Sequence, residues 1–179
     1  FLAQVPEGAS LDLDIICHSR GGLVSRMLSE KQGDFSLGSR KLRIGKVIFV
    51  GAPNAGTGLA DPAHLSQVLD VFTNLLNFLP DNGVTDVMTM VIGVLKQCAV
   101  GAMGGLEGLQ SMRPDGEFAR WMNTGARAGD TRYYALAANV TPVDPGLRHF
   151  VMARGLNQLI NGPNDFVVPT RGVFAENGS

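Results

Sequence analysis

The sequence LDLDIICHSRGGLVSRML, which spans Leu11 to Leu28, decides the fold of this chain. Its first half is an alternating apolar run, Leu11, Leu13, Ile15 and Ile16, which predicts a buried strand. Its second half, from Leu23 onward, spaces apolar residues at helical intervals. The pentapeptide His-Ser-Arg-Gly-Gly at 18–22 lies between the two halves. The stretch therefore predicts a strand, a tight turn that carries Ser19, and a helix.

The position of Ser19 on this turn has a chemical consequence. A turn of this kind lifts a serine hydroxyl out of the edge of the sheet, beside the first backbone N–H groups of the next helix, which have no acceptor within that helix. Those donors and the helix dipole stabilise a negative charge that develops next to the hydroxyl. We predict that Ser19 is a nucleophile. The alternative is a turn serine that only caps the helix.

The turn resembles the nucleophile elbow of the α/β-hydrolase superfamily, whose pattern is small-x-Ser-x-Gly. The longer string His-Ser-Arg-Gly-Gly-Leu-Val, residues 18–24, is similar to the lipase and esterase branch of that superfamily. Cys17 occupies the first small position, where the family pattern has glycine.

Two further segments carry the same resemblance. Residues 51–57 (GAPNAGT) are similar to the Gly-(Thr/Ala)-Pro-x-x-Gly-(Thr/Ser) segment that many lipase-like hydrolases have after the strand next to the elbow strand. The alternative is a glycine-proline turn of any βα unit. Residues 162–169 (GPNDFVVP) resemble the Asn-Asp-Gly-Val-Val-Pro segment of these enzymes, with Phe166 where the family often has glycine.

The resemblance implies an α/β fold, a mainly parallel sheet flanked by helices. We expect residues 1–179 to be one domain, a fragment of an α/β-hydrolase that is continuous with further segments of a larger chain. The apolar run of residues 46–50 predicts a central strand covered on both faces, and residues 132–140 predict another strand. Residues 61–112 are expected to form a helical cap or lid, beginning with a helix over 65–79. These helices could instead complete the core or dock onto another domain.

The resemblance also assigns the catalytic triad in the order Ser, acid, His. It implies that Asp165 is the acid; Asp144 is the alternative, because it follows a predicted strand directly. All three histidines precede Asp165, so we expect the base to lie beyond Ser179 and this piece alone to be inactive. His149 could pair with Asp144, although a structural histidine explains it better.

The oxyanion hole is only partly visible in the sequence. The resemblance places one donor at the backbone N–H of Arg20 and the second before Phe1. The other two histidines are expected to have local roles: His18 packs or hydrogen-bonds beside Ser19, and His64 lies on the surface near the start of a helix.

Composition excludes several classes of function. The chain has 179 residues, 15 basic and 16 acidic, for a net charge of −1, which disfavours nucleic-acid binding. Its histidines and its two cysteines, Cys17 and Cys98, have no metal-ligand or paired spacing, so we expect no metal and no other cofactor. No apolar run reaches the ~20 residues of a membrane-spanning helix. No signal peptide is visible, and a reducing, cytoplasmic compartment is compatible with the sequence.

The sequence thus predicts a serine hydrolase of the lipase or esterase type. It would cleave an acyl ester through attack by Ser19 and an acyl-enzyme intermediate. The apolar cap suggests a lipid-like acyl ester as the substrate. Two alternatives stay open: a thioesterase or peptidase on the same scaffold, and a catalytically silent, hydrolase-like interaction module of a larger protein.

Overall fold

The computed structural model describes residues 4–76, 89, 92–93, 96–97, 107–124, 130–139, 162–164 and 168–174. Within these residues, three strands form one parallel sheet in the order β1 (Ser10–His18), β2 (Lys41–Val50), β3 (Arg132–Leu136). The helices whose bounds the structure describes are α1 (Gly21–Glu30), α2 (Pro62–Leu76), α3 (Glu107–Gln110), α4 (Glu117–Met122) and α5 (Thr170–Val173). Short 3-10 turns lie at Gln32–Asp34 and Gly58–Ala60. The chain therefore has an α/β fold with parallel strands.

The strand, turn and helix predicted from Leu11 to Leu28 are all present. Strand β1 ends at His18 and helix α1 begins at Gly21, so the turn consists of Ser19 and Arg20. The chain then returns through β2, which pairs with β1 in parallel. This βαβ unit places the carboxyl ends of both strands at the same edge of the sheet.

One face of the sheet carries the core. Helix α1 packs against β1 and β2 on that face, where Val47 is fully buried and the ring of Phe49 stacks on Tyr133 with centroids 5.6 Å apart. Two valines from far along the chain join this cluster, Val168 and Val173. The core thus connects the βαβ unit of β1, α1 and β2 to the segment that follows residue 165.

The opposite face of the sheet is largely exposed. Ile16 is 75 % exposed, Leu136 is 62 % exposed and Tyr134 is 48 % exposed. Nearer the start of the strands, this face carries ion pairs such as Arg43 to Asp12 at 2.8 Å. On the central strand itself, Val47 and Phe49 are buried on the face that carries α1, and Ile48 and Val50 on the opposite face are half-buried. Helical cover of this second face stays a prediction.

Strand β2 begins at Lys41, five residues before the predicted start. The added residues pair with the first half of β1, and the register shifts between Leu13 and Asp14. Gly45 lies at this irregularity, where an added Cβ would approach Asp14 Oδ1 to 2.9 Å. The strand therefore continues through the charged residues that precede its predicted start, with a local irregularity at glycine.

Helix α2 begins at Pro62, three residues before the predicted start at 65. Asp61 caps it, since its Oδ1 accepts hydrogen bonds from the N–H groups of Ala63 (2.9 Å) and His64 (3.2 Å). Proline at the first helical position fits this cap. Residues 77–79 of the predicted helix, and much of the expected cap at 61–112, lie outside the described residues.

Strand β3 is shorter than predicted, because it ends at Leu136 and residues 137–139 continue without strand pairing. Helix α4 begins at Glu117 after Gly116, so Pro114 and Asp115 precede it. In the described part of the chain, every helix is too short or too polar to cross a membrane.

Candidate functional site

The backbone of Ser19 has an uncommon conformation. Its φ is +52°, and among the described residues no other non-glycine residue has a positive φ. This left-handed region costs an L-residue roughly 1–2 kcal/mol relative to the right-handed one. Neighbours fix it from both sides, since Ser19 N–H donates to the carbonyl of Val50 at 3.0 Å and Gly22 N–H donates to the carbonyl of Ser19 at 2.9 Å. The strained turn is therefore held by the strand beside it and by the helix after it.

The hydroxyl of Ser19 is accessible and uncommitted. The residue is partly exposed, and within the described residues its Oγ makes no hydrogen bond. Helix α1 has no side-chain cap, and its N-cap residue is Arg20. The alternative in which Ser19 only caps the helix is therefore wrong.

Close packing behind the turn explains the glycine three residues after the serine. A Cβ at Gly22 would collide with Cβ of Ala52 and would approach Cδ1 of Phe49 to 3.1 Å. Helix α1 therefore starts directly against the turn that follows β2. A side chain at 22 would push the helix, and with it Ser19, away from the sheet.

The backbone N–H of Arg20 is also available. Within the described residues it donates to no acceptor, and it lies at the N-terminus of α1, where the helix dipole favours negative charge. The guanidinium of Arg20 lies against Gly108 in α3, at the place that a Cβ of residue 108 would occupy. The side chain that follows Ser19 therefore contacts the end of the segment predicted as a cap.

Cys17, the residue that departs from the family pattern, is buried and inert. It is 9 % exposed and its Sγ donates to the carbonyl of Ile48 at 3.4 Å. Burial raises the pKa of this thiol, and a hydrogen bond with the Ser25 hydroxyl offsets part of that rise. The neutral thiol is a poor nucleophile, and Cys17 packs in the core cluster of the sheet.

A cleft of about 390 Å³ opens at the carboxyl ends of the three strands. Its lining consists of His18, Val50, Gly51, Ala135, Leu136, Ala137, Ala138 and Phe174. The His18 side chain is exposed and its imidazole makes no hydrogen bond within the described residues, so the prediction that it packs or bonds locally is wrong. The physical reason is alternation along β1: Cys17 points to the core, and its neighbour therefore points to the opposite face.

A buried ion pair ties α1 to the rest of the site. Arg26 forms two hydrogen bonds with Glu30, at 2.9 and 3.1 Å, and both side chains are 3 % exposed. The same guanidinium donates to Asn123 Oδ1 (2.9 Å) and to the carbonyl of Met122 (3.2 Å). In the sequence, the i,i+4 spacing of the two opposite charges is the signal that indicates this pair.

Asn54 extends this network towards the end of the chain. Its carbonyl accepts from Arg26 at 3.4 Å, and its Nδ2 donates to the carbonyl of Val173 at 2.9 Å. Asn54 is 2 % exposed, and within the described residues its Oδ1 has no partner. The turn that resembles the second hydrolase segment thus connects the elbow helix to α5.

The predicted acid Asp165 lies outside the described residues, as do the alternative acid Asp144 and His149. The residues on either side of Asp165 are anchored. Asn164 forms a β-bridge with Pro169, and Thr170 Oγ1 donates to the carbonyl of Ala138 at 2.9 Å, just beyond the end of β3. This segment therefore reaches the same edge of the sheet as Ser19.

The described ranges contain no group of three or more His, Cys, Asp or Glu side chains that could hold a metal ion. His64 lies in the first turn of α2, half-buried, near the place that the sequence predicted.

One family matches the chain. The match covers residues 1–179 and the family is described as a domain of unknown function (DUF7379). No curated protein matches.

Proposed function

The chain belongs to the DUF7379 family, and we propose that it is a serine hydrolase of the lipase and esterase type, built on an α/β-hydrolase scaffold. The single observation that carries the proposal is the φ of +52° at Ser19, between a parallel strand and the helix that follows it. Glycine would adopt this conformation without strain. A strained serine at such a position is typical of a functional group that the fold holds in place.

The surroundings of Ser19 suit acyl transfer. In the proposed reaction, Oγ attacks an acyl carbonyl, and the N–H of Arg20 stabilises the oxyanion that forms. An imidazole takes the proton of the hydroxyl and passes it to the leaving group, and water then hydrolyses the acyl-enzyme. In α/β-hydrolases, that imidazole follows the acid in the sequence. We assign the acid to Asp165, with Asp144 as the alternative. The reaction needs no metal or organic cofactor.

The segment around residue 165 supports this assignment through its anchors. Thr170 N–H donates to the carbonyl of Pro163 at 2.8 Å, which brings residues 163 and 170 together. The hydroxyl of Thr170 fixes them beside the end of β3. The proposed acid lies between these two anchors in the sequence.

A fluorophosphonate probe tests the proposal directly, because it phosphonylates activated serines. We expect the full-length protein to be labelled and its Ser19→Ala variant not to be labelled. Ser25→Ala is the matched control, since Ser25 lies in helix α1 after the turn but is buried and donates to the carbonyl of Gly21 at 2.8 Å. That variant should be labelled like the wild type.

Two outcomes would overturn the proposal. Labelling that persists in Ser19→Ala would assign the nucleophile to another residue. An intact, folded protein that is not labelled at all would favour the silent interaction module.

A further inference from the structure

The cleft at the carboxyl ends of the strands has a nearly uniform lining. Seven of its eight lining residues are apolar or glycine, and His18 is the exception. The register aligns His18 with Val50 and Leu136 across the sheet, so the imidazole stands on the exposed face beside these two side chains. One polar side chain therefore faces an apolar surface.

The size and place of the cleft suit a small molecule. Its volume of about 390 Å³ lies within the roughly 300–1,000 Å³ that ligand pockets have. Ligands of open α/β sheets bind at the carboxyl ends of the strands, as here. The apolar lining and the exposed Leu136 and Phe174 offer surface to an apolar body.

His18 carries the polar side chain of the described lining, and part of the lining backbone is already hydrogen-bonded. Gly51 N–H donates to the carbonyl of Leu136 at 3.1 Å, and the carbonyl of Ala138 accepts from Thr170. An imidazole carries at least one N–H donor in either protonation state. None of the described lining residues is acidic, so a negatively charged ligand would meet no like charge from them.

We infer that this cleft binds a carboxylic acid with a compact apolar body, and that His18 donates a hydrogen bond to the carboxylate. Such an acid is also the product that an esterase releases, and this link to Ser19 rests on the proposed function. The binding itself does not, because His18 and the apolar lining are sufficient for it.

Phenylacetate and phenethylamine test the inference as a matched pair, since they share an apolar body and differ in the polar group. We titrate the intact protein with each compound and follow the histidine ring signals by NMR. Phenylacetate should saturate a single site and shift the His18 signals. Phenethylamine, a cationic donor, should bind at least tenfold more weakly.

Variants then assign the contact. His18→Leu should weaken phenylacetate binding about tenfold or more, the value of a lost hydrogen bond to a charged group. His18→Gln keeps a donor and should retain most of the affinity. His64→Gln, which changes a histidine away from the cleft, should bind like the wild type.

A second variant covers the case in which His18→Leu does not fold. Leu136→Glu changes an exposed side chain and places a carboxylate in the cleft, so it should abolish the binding of phenylacetate. The inference is overturned if phenylacetate does not bind, if the two compounds bind equally, or if a folded His18→Leu or Leu136→Glu binds like the wild type.

Ser19→Ala separates this inference from the proposed function. The variant should bind phenylacetate like the wild type, although it cannot react with a fluorophosphonate. Binding without probe labelling of the wild type would keep the cleft and reject the hydrolase. Labelling without binding would do the reverse.

Discussion

The backbone at Ser19 has a strained conformation. Its φ of +52° is enforced by hydrogen bonds on both sides of the turn, to Val50 before it and from Gly22 after it. Glycine is the residue that adopts this region without a steric penalty. The presence of serine therefore trades conformational stability for an accessible hydroxyl.

Substitution of Ser19 separates the strain from the chemistry. We expect Ser19→Gly to be more stable to urea than Ser19→Ala by up to about 1 kcal/mol, because alanine retains the left-handed penalty and glycine does not. Neither variant should react with a fluorophosphonate. Equal stability of the two variants would mean that the turn relaxes to an ordinary conformation without the hydroxyl.

At the scale of elements, the Arg26 to Glu30 pair joins parts that are distant in the sequence. It connects the elbow helix with the end of α4 through Met122 and Asn123, and with the turn after β2 through Asn54. Asn54 then reaches Val173 in α5. The pair is buried, so the loss of one partner removes the bonds that compensate the other charge for its loss of water.

Substitutions in this pair should reveal its role. Arg26→Met is expected to lower the free energy of unfolding by about 3–5 kcal/mol, because Glu30 would lose both hydrogen bonds from the guanidinium while its carboxylate stays buried. The double variant Arg26→Met with Glu30→Leu should be less destabilised than Arg26→Met alone, since it leaves no buried charge. Chemical denaturation measures both. Equal destabilisation would show that the bonds to Met122 and Asn123, rather than the ion pair, stabilise the helix.

On the scale of the whole molecule, the described sheet has one buried and one exposed face. Val47 is fully buried beside α1, while Ile16 on the opposite face is 75 % exposed. Apolar residues on the two faces of the sheet should therefore contribute differently to the stability of the protein.

Two substitutions of similar size compare the faces. Val47→Ala should destabilise the protein by about 2 kcal/mol, because it removes buried methyl groups and leaves a cavity. Ile16→Thr should change the stability by no more than about 0.5 kcal/mol, since its side chain is exposed and threonine suits a strand. Thermal or urea unfolding gives both values. A similar cost at Ile16 would mean that this face is covered in solution.

The sequence by itself determined the local order of the elbow. Alternation in β1, the short polar turn and the helical spacing of α1 are patterns of neighbouring residues, and they predict the strand, Ser19 and the helix directly. The α/β class follows from the same unit. The N-cap of α2 at Asp61 could also be predicted from the sequence, because its acceptor and donors are two and three residues apart.

Only the tertiary structure decided which groups meet. The burial of Glu30, the exposure of His18 and the contact between Arg20 and Gly108 depend on elements that are distant in sequence or on the face that α1 covers. Local patterns fix backbone conformation over a few residues, whereas burial depends on the packing of whole elements, which no short window of sequence encodes. The turn at Ser19 belongs to both, since the pattern predicts a tight turn there and the bonds to β2 and α1 hold it in the left-handed conformation.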